Sequence, residues 1–399
     1  MDKWVISINK HYLKYDVALI CWIMYSMFVG ATTVEFHKYI SNGWYFLSLI
    51  LLFWNIINIK ALWSNYRNIL GVLGVLIVTA VATVTSKYPP LFAWALMIIS
   101  SINIAHEHIV KLYFRCFVFL CVFIPALAIT GLIPNYVLDT VGSTGIRTSY
   151  GFSHPNVFAA SIMICIICWC YLNWKKVKVY QVILINIIGY VIMRLTDSSA
   201  ATIVIVFITL IALLERWFDK KGKLKIWYVI AAGLLVFCPI ASYYLMTNFS
   251  MLNDGMLALD LFASGRIRLM NSFYLNYGWS LWGQEALFDM ENRSLLLFAL
   301  DNSYAYLLIQ FGLITTLMYY LGIARELKQA VKYSDNRLII CIMTFVIYGL
   351  FENYFFKTQF NFTLLFIASS TFSPYLAPQS NNVNDPIEKR RFLQKRYNS

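Results

Sequence analysis

Charged residues are scarce in this sequence. They make up 13% of the 399 residues, about half the share of an ordinary soluble domain, while hydrophobic residues make up 60%. This shortage excludes a water-soluble globule, because a chain of this size cannot bury so much apolar sequence in one core. It fits a bundle of membrane-spanning helices, each of which needs about 20 mostly apolar residues.

Other common features are also missing. The eight cysteines all lie in apolar stretches, so the sequence indicates neither a disulfide framework nor an external metal-binding knuckle. We interpret Cys165, Cys168 and Cys170 as packing residues rather than metal ligands. No cleavable signal peptide is evident, because the polar start through Asp16 is long and many apolar runs follow the first. We find no internal repeat.

What the sequence does contain is a series of apolar runs, which predicts an all-α, polytopic membrane protein with about 12 transmembrane helices. Charged or turn-forming residues separate the runs. They lie near 17 to 34, 43 to 59, 69 to 85, 90 to 105, 116 to 133, 157 to 172, 180 to 196, 200 to 214, 226 to 247, 303 to 323, 338 to 356 and 361 to 376.

The positions of the lysines and arginines predict the orientation of these spans. Of the 32 basic residues, 24 fall in the segments on the same side as the two termini, and eight fall on the other side. By the positive-inside rule both termini are cytoplasmic. The formal net charge of +13 therefore mainly reflects the orientation of the spans, and the distribution of the basic residues argues against a nucleic-acid partner.

Two connections are long, and both are predicted to be external. Residues 134–156 separate helices 1–5 (1–133) from helices 6–9 (157–247), and residues 248–302 separate those from helices 10–12 (303–376). Connections this long in a tight bundle are usually functional or disordered. We expect the second to fold onto the membrane surface, and we expect residues 377–399 to form a basic, disordered cytoplasmic tail.

Three spans are predicted to begin on the external side with helix-capping sequences. Pro155 suits the first helical position, so the sixth span should start after His154, and the eighth and tenth follow Asp197-Ser198-Ser199 and Asp301-Asn302-Ser303. The free N–H groups of a helix N-terminus beside an arginine make a site for phosphate. Five external arginines are available for one anionic ligand: Arg147, Arg194, Arg266, Arg268 and Arg293.

The second loop contains a predicted short helix after Ser264, its expected N-cap. Ile267, Met270, Asn271 and Tyr274 should share one face of it. Arg266 and Arg268 lie about 200 degrees apart around such a helix, so at most one should face a given ligand. We select Arg266, because it lies in the first turn.

Structural interpretations of the same residues remain open. Arg147 and Arg266 can anchor lipid headgroups, and Arg194 can be a paired or snorkelling residue. His154 and Asp301 can be helix caps only. Asp289 and Glu291 resemble the spaced acidic pair of metal-dependent sugar transferases, but such pairs are common, and we do not favour a metal site there.

Several of these motifs resemble the O-antigen polymerase and ligase superfamily, whose Wzy-type members polymerise glycans carried on undecaprenyl diphosphate. The stretch from Arg147 to Ala160 is similar to the family's Arg, Gly and Pro-Asn stretch, and Ser264-Gly-Arg266 is similar to its Ser-Gly-Arg. Asp301-Asn302, ahead of Gly312, resembles the His-Asn element that closes the loop. The resemblance covers roughly residues 130 to 325.

Two departures from the family pattern matter. The Ser-Arg-Gly that often follows the middle turn is absent, because Ala200 and Ala201 follow Ser199, and only Arg194 lies nearby. The position of the ligase histidine is Asp301 here. This favours a polymerase over a ligase.

The resemblance implies a GT-C-like glycosyltransferase at the outer face of the bacterial plasma (inner) membrane. Arg147, Arg266, Asp301 and His154 are the expected catalytic residues, since fixed cations stabilise the diphosphate leaving group and an acid or imidazole accepts a hydroxyl proton. Sugar-stacking and other substrate-binding residues are expected among the following: Tyr150, Asn156, Arg194, Ser264, Arg268, Tyr274, Trp279, Arg293 and Asn302.

The implied substrates are lipid-linked oligosaccharide repeat units, in contact with membrane lipids and with no metal or other cofactor. A chain-length regulator and a flippase are plausible partners. The alternatives are a ligase-type glycan transferase and, in another class, a lipid-linked oligosaccharide flippase. A transporter usually places ionisable residues in mid-membrane cavities, whereas here the polar residues concentrate in the two external loops.

Overall fold

A computed structural model of the chain describes residues 2–34, 38–139, 146–218, 224–288 and 296–372. The described residues are mostly helical. The longer helices are α1 (Asp2–Gly30), α2 (Lys38–Ile57), α4 (Tyr66–Ser86), α5 (Pro90–Ser100), α6 (His106–Ile129), α7 (Pro155–Leu172), α8 (Val179–Thr196), α9 (Ser199–Phe218), α10 (Leu224–Asn248), α14 (Gly312–Lys332) and α15 (Asn336–Tyr348).

The remaining elements lie between or after these helices. They are α3 (Lys60–Trp63), α11 (Asp254–Phe262), α12 (Arg266–Tyr277), α13 (Ser303–Tyr306) and α16 (Ile367–Phe372). A π-helical turn, Leu307–Phe311, joins α13 to α14, and a 3-10 turn, Phe362–Phe366, precedes α16. Two short strands, β1 (Val137–Asp139) and β2 (Ile146–Thr148), pair antiparallel with Leu138 opposite Arg147.

Seven helical segments within the described ranges are long and apolar enough to cross a membrane. They are Tyr12–Gly30, Tyr66–Ser86, His106–Ile129, Pro155–Leu172, Val179–Thr196, Ile226–Asn248 and Ser303–Lys332. Their outward surfaces carry large apolar side chains: Val84 and Ile129 are about three-quarters exposed. Such a surface suits contact with lipid rather than water. This is the arrangement of a multi-pass membrane protein.

The predicted count of twelve full-length spans is not confirmed. Five further apolar helices in the described part of the chain are shorter: Asn42–Ile57, Pro90–Ser100, Ser199–Glu215, Asn336–Tyr348 and Phe362–Phe372. The 11-residue α5 and the 13-residue α15 are about 16 and 20 Å long at 1.5 Å per residue. A typical hydrocarbon core is about 30 Å thick, so neither crosses it alone.

The predicted span at 338–356 differs most from the structure. Its helix, α15, ends at Tyr348, and residues 349–361 form successive turns. Non-helical backbone at membrane depth is tolerated where it is buried in protein or lines a cavity. Both conditions hold here, because Phe355 and Phe356 are fully buried and Glu352 and Lys357 line a cavity.

The helix ends that the sequence predicts to be external lie together at one end of the bundle, the end that contains Glu352 and Lys357. Gly30, Pro90, Asn156, Asp197 and Asp301 all lie around one cavity there, and we call this the cavity end. The strands β1 and β2 and the helices α11 and α12, from the two long connections, also belong to this end. The predicted tail at 377–399 lies outside the described residues.

Candidate functional site

The cavity has a volume of about 970 Å³ and lies between the two long connections and the helix ends beneath them. Seven of the residues predicted to form a site line it. They are Arg147, His154, Asn156, Ser264, Arg266, Arg268 and Asp301. The convergence of separate loops, which sequence alone left open, is therefore a property of the fold.

Arg147 reaches the cavity from β2 and is held by two elements. Its Nη2 donates to Oδ1 of Asn156 at 2.9 Å, and its Nε donates to the carbonyl oxygen of Thr196 at 3.1 Å. Asp197 Oδ2 lies 3.9 Å from the same Nε. With 16% of its side chain exposed, Arg147 is oriented by the protein and still borders the cavity.

Glu352 connects this arginine to Arg266. Asn156 donates through Nδ2 to Oε1 of Glu352 at 2.9 Å, and Arg266 donates through Nη2 to the same oxygen at 3.0 Å. Arg147, Asn156, Glu352 and Arg266 thus form one hydrogen-bonded chain, which we call the arginine network. The amide of Asn156, used at both ends, and the shared Oε1 of Glu352 together set the separation of the two guanidinium groups.

The turn before α12 differs from the prediction. Ser264 is not the N-cap: the N-cap is Gly265, in a left-handed conformation with φ of 81°, and no side chain caps the helix. The reason is that this turn also ends α11, since the Gly265 N–H donates to the carbonyl oxygen of Asp260 at 2.7 Å. Glycine adopts this conformation without the steric penalty of a Cβ.

Both arginines of α12 line the cavity, contrary to the expectation that only one can face a ligand. They differ in their partners. Arg268 pairs with the fully buried Asp260, Nε to Oδ2 at 3.6 Å, whereas Arg266 belongs to the arginine network. The buried Nε atoms of Arg266 and Arg268 both make no hydrogen bond within the described structure. Arg266 is the better placed of the two to share an anion with Arg147, because the arginine network links these two side chains.

Asp301 lies beside Arg266 and is not a helix cap. Its Oδ2 is 3.7 Å from Nε of Arg266, and 30% of its side chain is exposed. Asn302 is the cap of α13, because its Oδ1 accepts from the N–H groups of Tyr304 and Ala305. The capping-only interpretation of Asp301 is wrong, and its carboxylate remains available to the cavity.

His154 does cap its helix. The N–H of Asn156 donates to Nδ1 of His154 at 3.1 Å, and α7 begins at Pro155 as predicted. Burial and the nearby charges of Arg147 and Arg266 lower the pKa of His154 to about 4, so its ring is neutral at pH 7. Because Nδ1 accepts, the neutral ring carries its proton on Nε2. His154 therefore offers a donor to the cavity, which argues against a role as proton acceptor.

The acidic side chains around Arg266 have unusual proton affinities. Burial and the neighbouring Asp301 raise the pKa of Glu352 to about 8, although Arg266 opposes the shift. Burial also raises the pKa of Asp301 above its usual value, against the opposing charges of Arg266 and Lys357. Two close carboxyl groups beside one guanidinium share its charge, and one of them can hold a proton near neutral pH.

Lys357 adds a further cation to the cavity wall. Its Nζ donates to Oδ1 of Asn353 at 2.7 Å and lies 5.3 Å from the ring centroid of Tyr354 and 5.7 Å from that of Tyr306. Burial lowers the pKa of Lys357 to about 8, against the attraction of Asp301 and Glu352. A cation over aromatic faces is stabilised without a full hydration shell.

Sequence reasoning missed Glu352 and Lys357. The sequence pattern places Glu352 inside an apolar run and Lys357 among the eight external basic residues. A usable signal existed, because an ionisable residue within a membrane segment is rare and usually functional. Glu352 is the only charged residue in the run 338–356.

Five other predicted binding residues do not line the cavity. Tyr150 packs on Phe158, Tyr274 contacts Tyr243, and Trp279 borders a separate groove. Arg194 is exposed on α8, and Asn302 is buried. Arg293 lies outside the described residues, as do Asp289 and Glu291.

Comparisons with known proteins add nothing to this geometry: no protein family, no curated protein and no solved structure matches the chain. Within the described ranges, no group of three or more histidine, cysteine, aspartate or glutamate side chains is arranged to hold a metal ion. The eight cysteines are free thiols. The chemistry of the cavity must therefore be argued from its own side chains.

Proposed function

We propose that this chain is a Wzy-type polysaccharide polymerase of the bacterial plasma membrane, with the cavity end at the outer face and both termini in the cytoplasm. It joins oligosaccharide repeat units carried on undecaprenyl diphosphate. The observation that carries the proposal is the arginine network, which holds two guanidinium groups at the wall of a 970 Å³ cavity. The family resemblance of Arg147 to Ala160 and of Ser264 to Arg266 supports it.

The two arginines suit a diphosphate. Guanidinium groups bind phosphate oxygens in bidentate fashion, and a donor fixed before the reaction stabilises charge that develops in the transition state. Arg147 and Arg266 are each anchored through one edge, so neither must be reoriented when the leaving group becomes more negative. The nearby Lys357 contributes further positive charge.

The proposed reaction is a displacement at the anomeric carbon of the growing glycan. A hydroxyl oxygen of the incoming repeat unit forms the new bond to that carbon, and the bond from the carbon to the diphosphate oxygen breaks. The bonding electron pair leaves with the diphosphate, and the hydroxyl proton passes to the carboxylate of Asp301. Asp301 suits this task because it borders the cavity and because its raised pKa makes it a stronger base than an ordinary aspartate.

Glu352 serves this reaction as a positioning residue. It is 3% exposed, and one oxygen, Oε1, accepts from both Asn156 and Arg266. Its role is to aim Arg266 and, through Asn156, Arg147.

The test is to incubate purified protein with lipid-linked repeat units, with and without a chelator. A ladder of products in both samples supports a metal-independent polymerase. Transfer of preformed glycan onto a different acceptor, without a ladder, would instead identify a ligase. Translocation of intact repeat units without new glycosidic bonds would identify a flippase. A chain-length regulator and a separate flippase are the expected partners of a polymerase.

A further inference from the structure

One wall of the cavity is formed by α1, and we call it the α1 wall. Trp22, Tyr25, Ser26 and Val29 line the cavity there, at the i, i+3, i+4 and i+7 spacing of a single helix face. Trp22 lies eight residues before the end of α1 at Gly30, which is about 12 Å at 1.5 Å per residue. The cavity therefore extends below the helix ends and into the membrane-spanning part of the bundle.

The α1 wall differs in charge from the side that carries the arginine network. Every described lining residue ahead of Arg147 in the chain is uncharged. Three of these residues, Trp22, Tyr25 and Tyr88, are aromatic. The guanidinium and carboxyl groups of the cavity all come from later elements. A ligand group that rests on the α1 wall is therefore expected to be neutral.

Two buried polar atoms of the cavity lining have no hydrogen-bond partner in the described structure. One is Nε1 of Trp22, a donor, and the other is Oε1 of Gln359, an acceptor in the turns after α15. Trp22 is fully buried and Gln359 is 7% exposed. Buried polar groups are nearly always hydrogen-bonded, because leaving one unpaired costs stability. The two atoms thus indicate a ligand that both accepts and donates hydrogen bonds.

Aromatic rings accompany both atoms. The ring centroid of Trp22 is 5.8 Å from that of Tyr25, and Gln359 precedes Phe360, whose ring stacks on Tyr354 at 4.2 Å. All five residues line the cavity. The C–H groups of a sugar ring carry partial positive charge and pack on the negative face of an aromatic ring. The cavity therefore has stacking faces, although they come from other residues than the sequence analysis expected.

We infer that Trp22 and Gln359, with the aromatic rings beside them, bind a neutral pyranose ring of the substrate glycan. The inference rests on the proposed function for the identity of the molecule that carries this sugar. A sugar hydroxyl accepts from the indole N–H and donates to the amide oxygen, as any hydroxyl can. Mostly apolar and aromatic walls with a few polar groups are usual in sites for small molecules. The arginine network then holds the diphosphate, and the α1 wall helps to select the sugar.

The test compares undecaprenyl-diphosphate-linked repeat units with bare undecaprenyl diphosphate, both extracted from the source organism. Their affinities for the purified protein are measured in one detergent, and the ratio of the two reports the contribution of the glycan. Trp22→Phe keeps an aromatic ring but loses the donor, and Gln359→Met keeps the chain length but loses the amide. Each should lower the ratio by about tenfold, because a bound hydroxyl loses a partner. Binding of bare undecaprenyl diphosphate should not change.

Two matched controls come from the described structure. Trp94→Phe removes a fully buried indole N–H, and Thr358→Val removes a fully buried hydroxyl beside Gln359. Neither polar atom has a hydrogen-bond partner, and neither residue lines the cavity, so both variants should keep the wild-type ratio. Thermal unfolding without ligand is the second measurement. Trp22→Phe should lower the melting temperature no more than Trp94→Phe does, which separates loss of binding from loss of folding.

An unchanged ratio in both Trp22→Phe and Gln359→Met would overturn the inference and leave water as the partner of the two atoms. It would also be overturned if the wild type did not prefer the repeat units, or if the controls lost as much as the two variants. An equal loss of affinity for bare undecaprenyl diphosphate would overturn it too, because the effect would then not concern the sugar. Failure of the proposed function is separate: it shows as binding of undecaprenyl diphosphate that Arg266→Ala leaves unchanged.

Discussion

Arg266 and Glu352 are 86 residues apart in the chain, yet Nη2 of Arg266 donates to Oε1 of Glu352 at 3.0 Å. The arginine begins a short helix of the second long connection, and the glutamate lies in the turns after α15. This hydrogen bond therefore fastens the loop to the membrane bundle. It also sets where one guanidinium of the proposed diphosphate site points.

The first prediction concerns this hydrogen bond. Glu352→Ala should lower the free energy of unfolding by about 3 kcal/mol, because it leaves Nη2 of the mostly buried Arg266 without its acceptor. Thermal unfolding in detergent measures the change. Glu285→Ala is the control at the same end: its ion pair with Lys87 is largely exposed, so its loss should cost under about 1 kcal/mol. Equal effects of the two substitutions would refute a special role for Glu352.

The second prediction tests the fork geometry of the arginines. Arg147→Ala and Arg266→Ala should each lower polymer formation by about 100-fold or more, the usual effect of losing a transition-state donor. Arg266→Lys should also be impaired, because lysine keeps the charge but cannot both hold Glu352 and bind phosphate in bidentate fashion.

Arg194→Ala is the matched control for these variants, since Arg194 is exposed on α8 and does not line the cavity. It should retain polymer formation at unchanged protein abundance. Full activity of the lysine variants would mean that bulk positive charge suffices, and the fork model would then be wrong.

The residues that sequence analysis found and missed differ in a physical way. Local rules predicted the starts of α7 and α13, because Pro155 and Asn302 act through their immediate neighbours. Arg147 and Arg266 were found through short motifs next to such starts. Each of these predictions needed only residues close together in the chain.

Glu352 required information that is not local. The end of α15 at Tyr348 follows from how the next turns pack and line the cavity, while the apolar pattern itself continues to residue 356. The positions of the aromatic residues also depend on contacts between distant parts of the chain. Nothing local indicates that Tyr274 meets Tyr243 or that Trp279 borders a groove. The pairing of Arg268 with the buried Asp260 likewise depends on the turn between α11 and α12.

The third prediction is a pH dependence of ligand binding. Burial and the neighbouring Asp301 raise the pKa of Glu352, so more of its carboxyl is protonated as the pH falls towards neutral. Burial lowers the pKa of Lys357 to about 8, so its ammonium group is charged below that pH. As the pH rises through 8, the cavity gains a negative charge and loses a positive one. The affinity for a diphosphate diester, which has no proton to lose in this range, should therefore fall by about tenfold or more, at about 1 kcal/mol or more for each charge.

Titration calorimetry at several pH values between about 6 and about 9.5 measures this change. This range extends roughly one and a half to two pH units to either side of the pKa of Lys357, which is about 8. Glu352→Gln should make the profile shallower, because one of the two titrating groups is gone. His154→Gln should leave it unchanged, because His154 is neutral throughout. Affinity that rises with pH would contradict the assignment of both groups.

The fourth prediction concerns the side of the membrane on which the cavity end lies. Leu252, between α10 and α11, is 97% exposed at the cavity end, and Lys178 is exposed between α7 and α8 at the opposite end. In a background without reactive native thiols, an impermeant thiol reagent applied to spheroplasts should label Leu252→Cys at once. It should label Lys178→Cys only after the membrane is opened. The reverse pattern would place the cavity in the cytoplasm and refute a polymerase of the outer face.

The last prediction separates proton transfer from helix capping at the start of α13. Asp301→Asn should leave the free energy of unfolding nearly unchanged, because Asn302 and not Asp301 caps the helix. It should lower turnover by about 100-fold to 10,000-fold, since an amide cannot accept the proton of the attacking hydroxyl. Asn302→Ala should instead lower the free energy of unfolding, by about 0.5 to 2 kcal/mol for the lost cap and further for the lost hydrogen bonds of its Nδ2 to Ser242 and Leu350. His154→Gln should keep most of its activity, because a glutamine oxygen can still accept from the Asn156 N–H. Near-normal polymer from Asp301→Asn, together with a large loss in His154→Gln, would move the proton acceptor to the imidazole and overturn the assignment made from the tautomer.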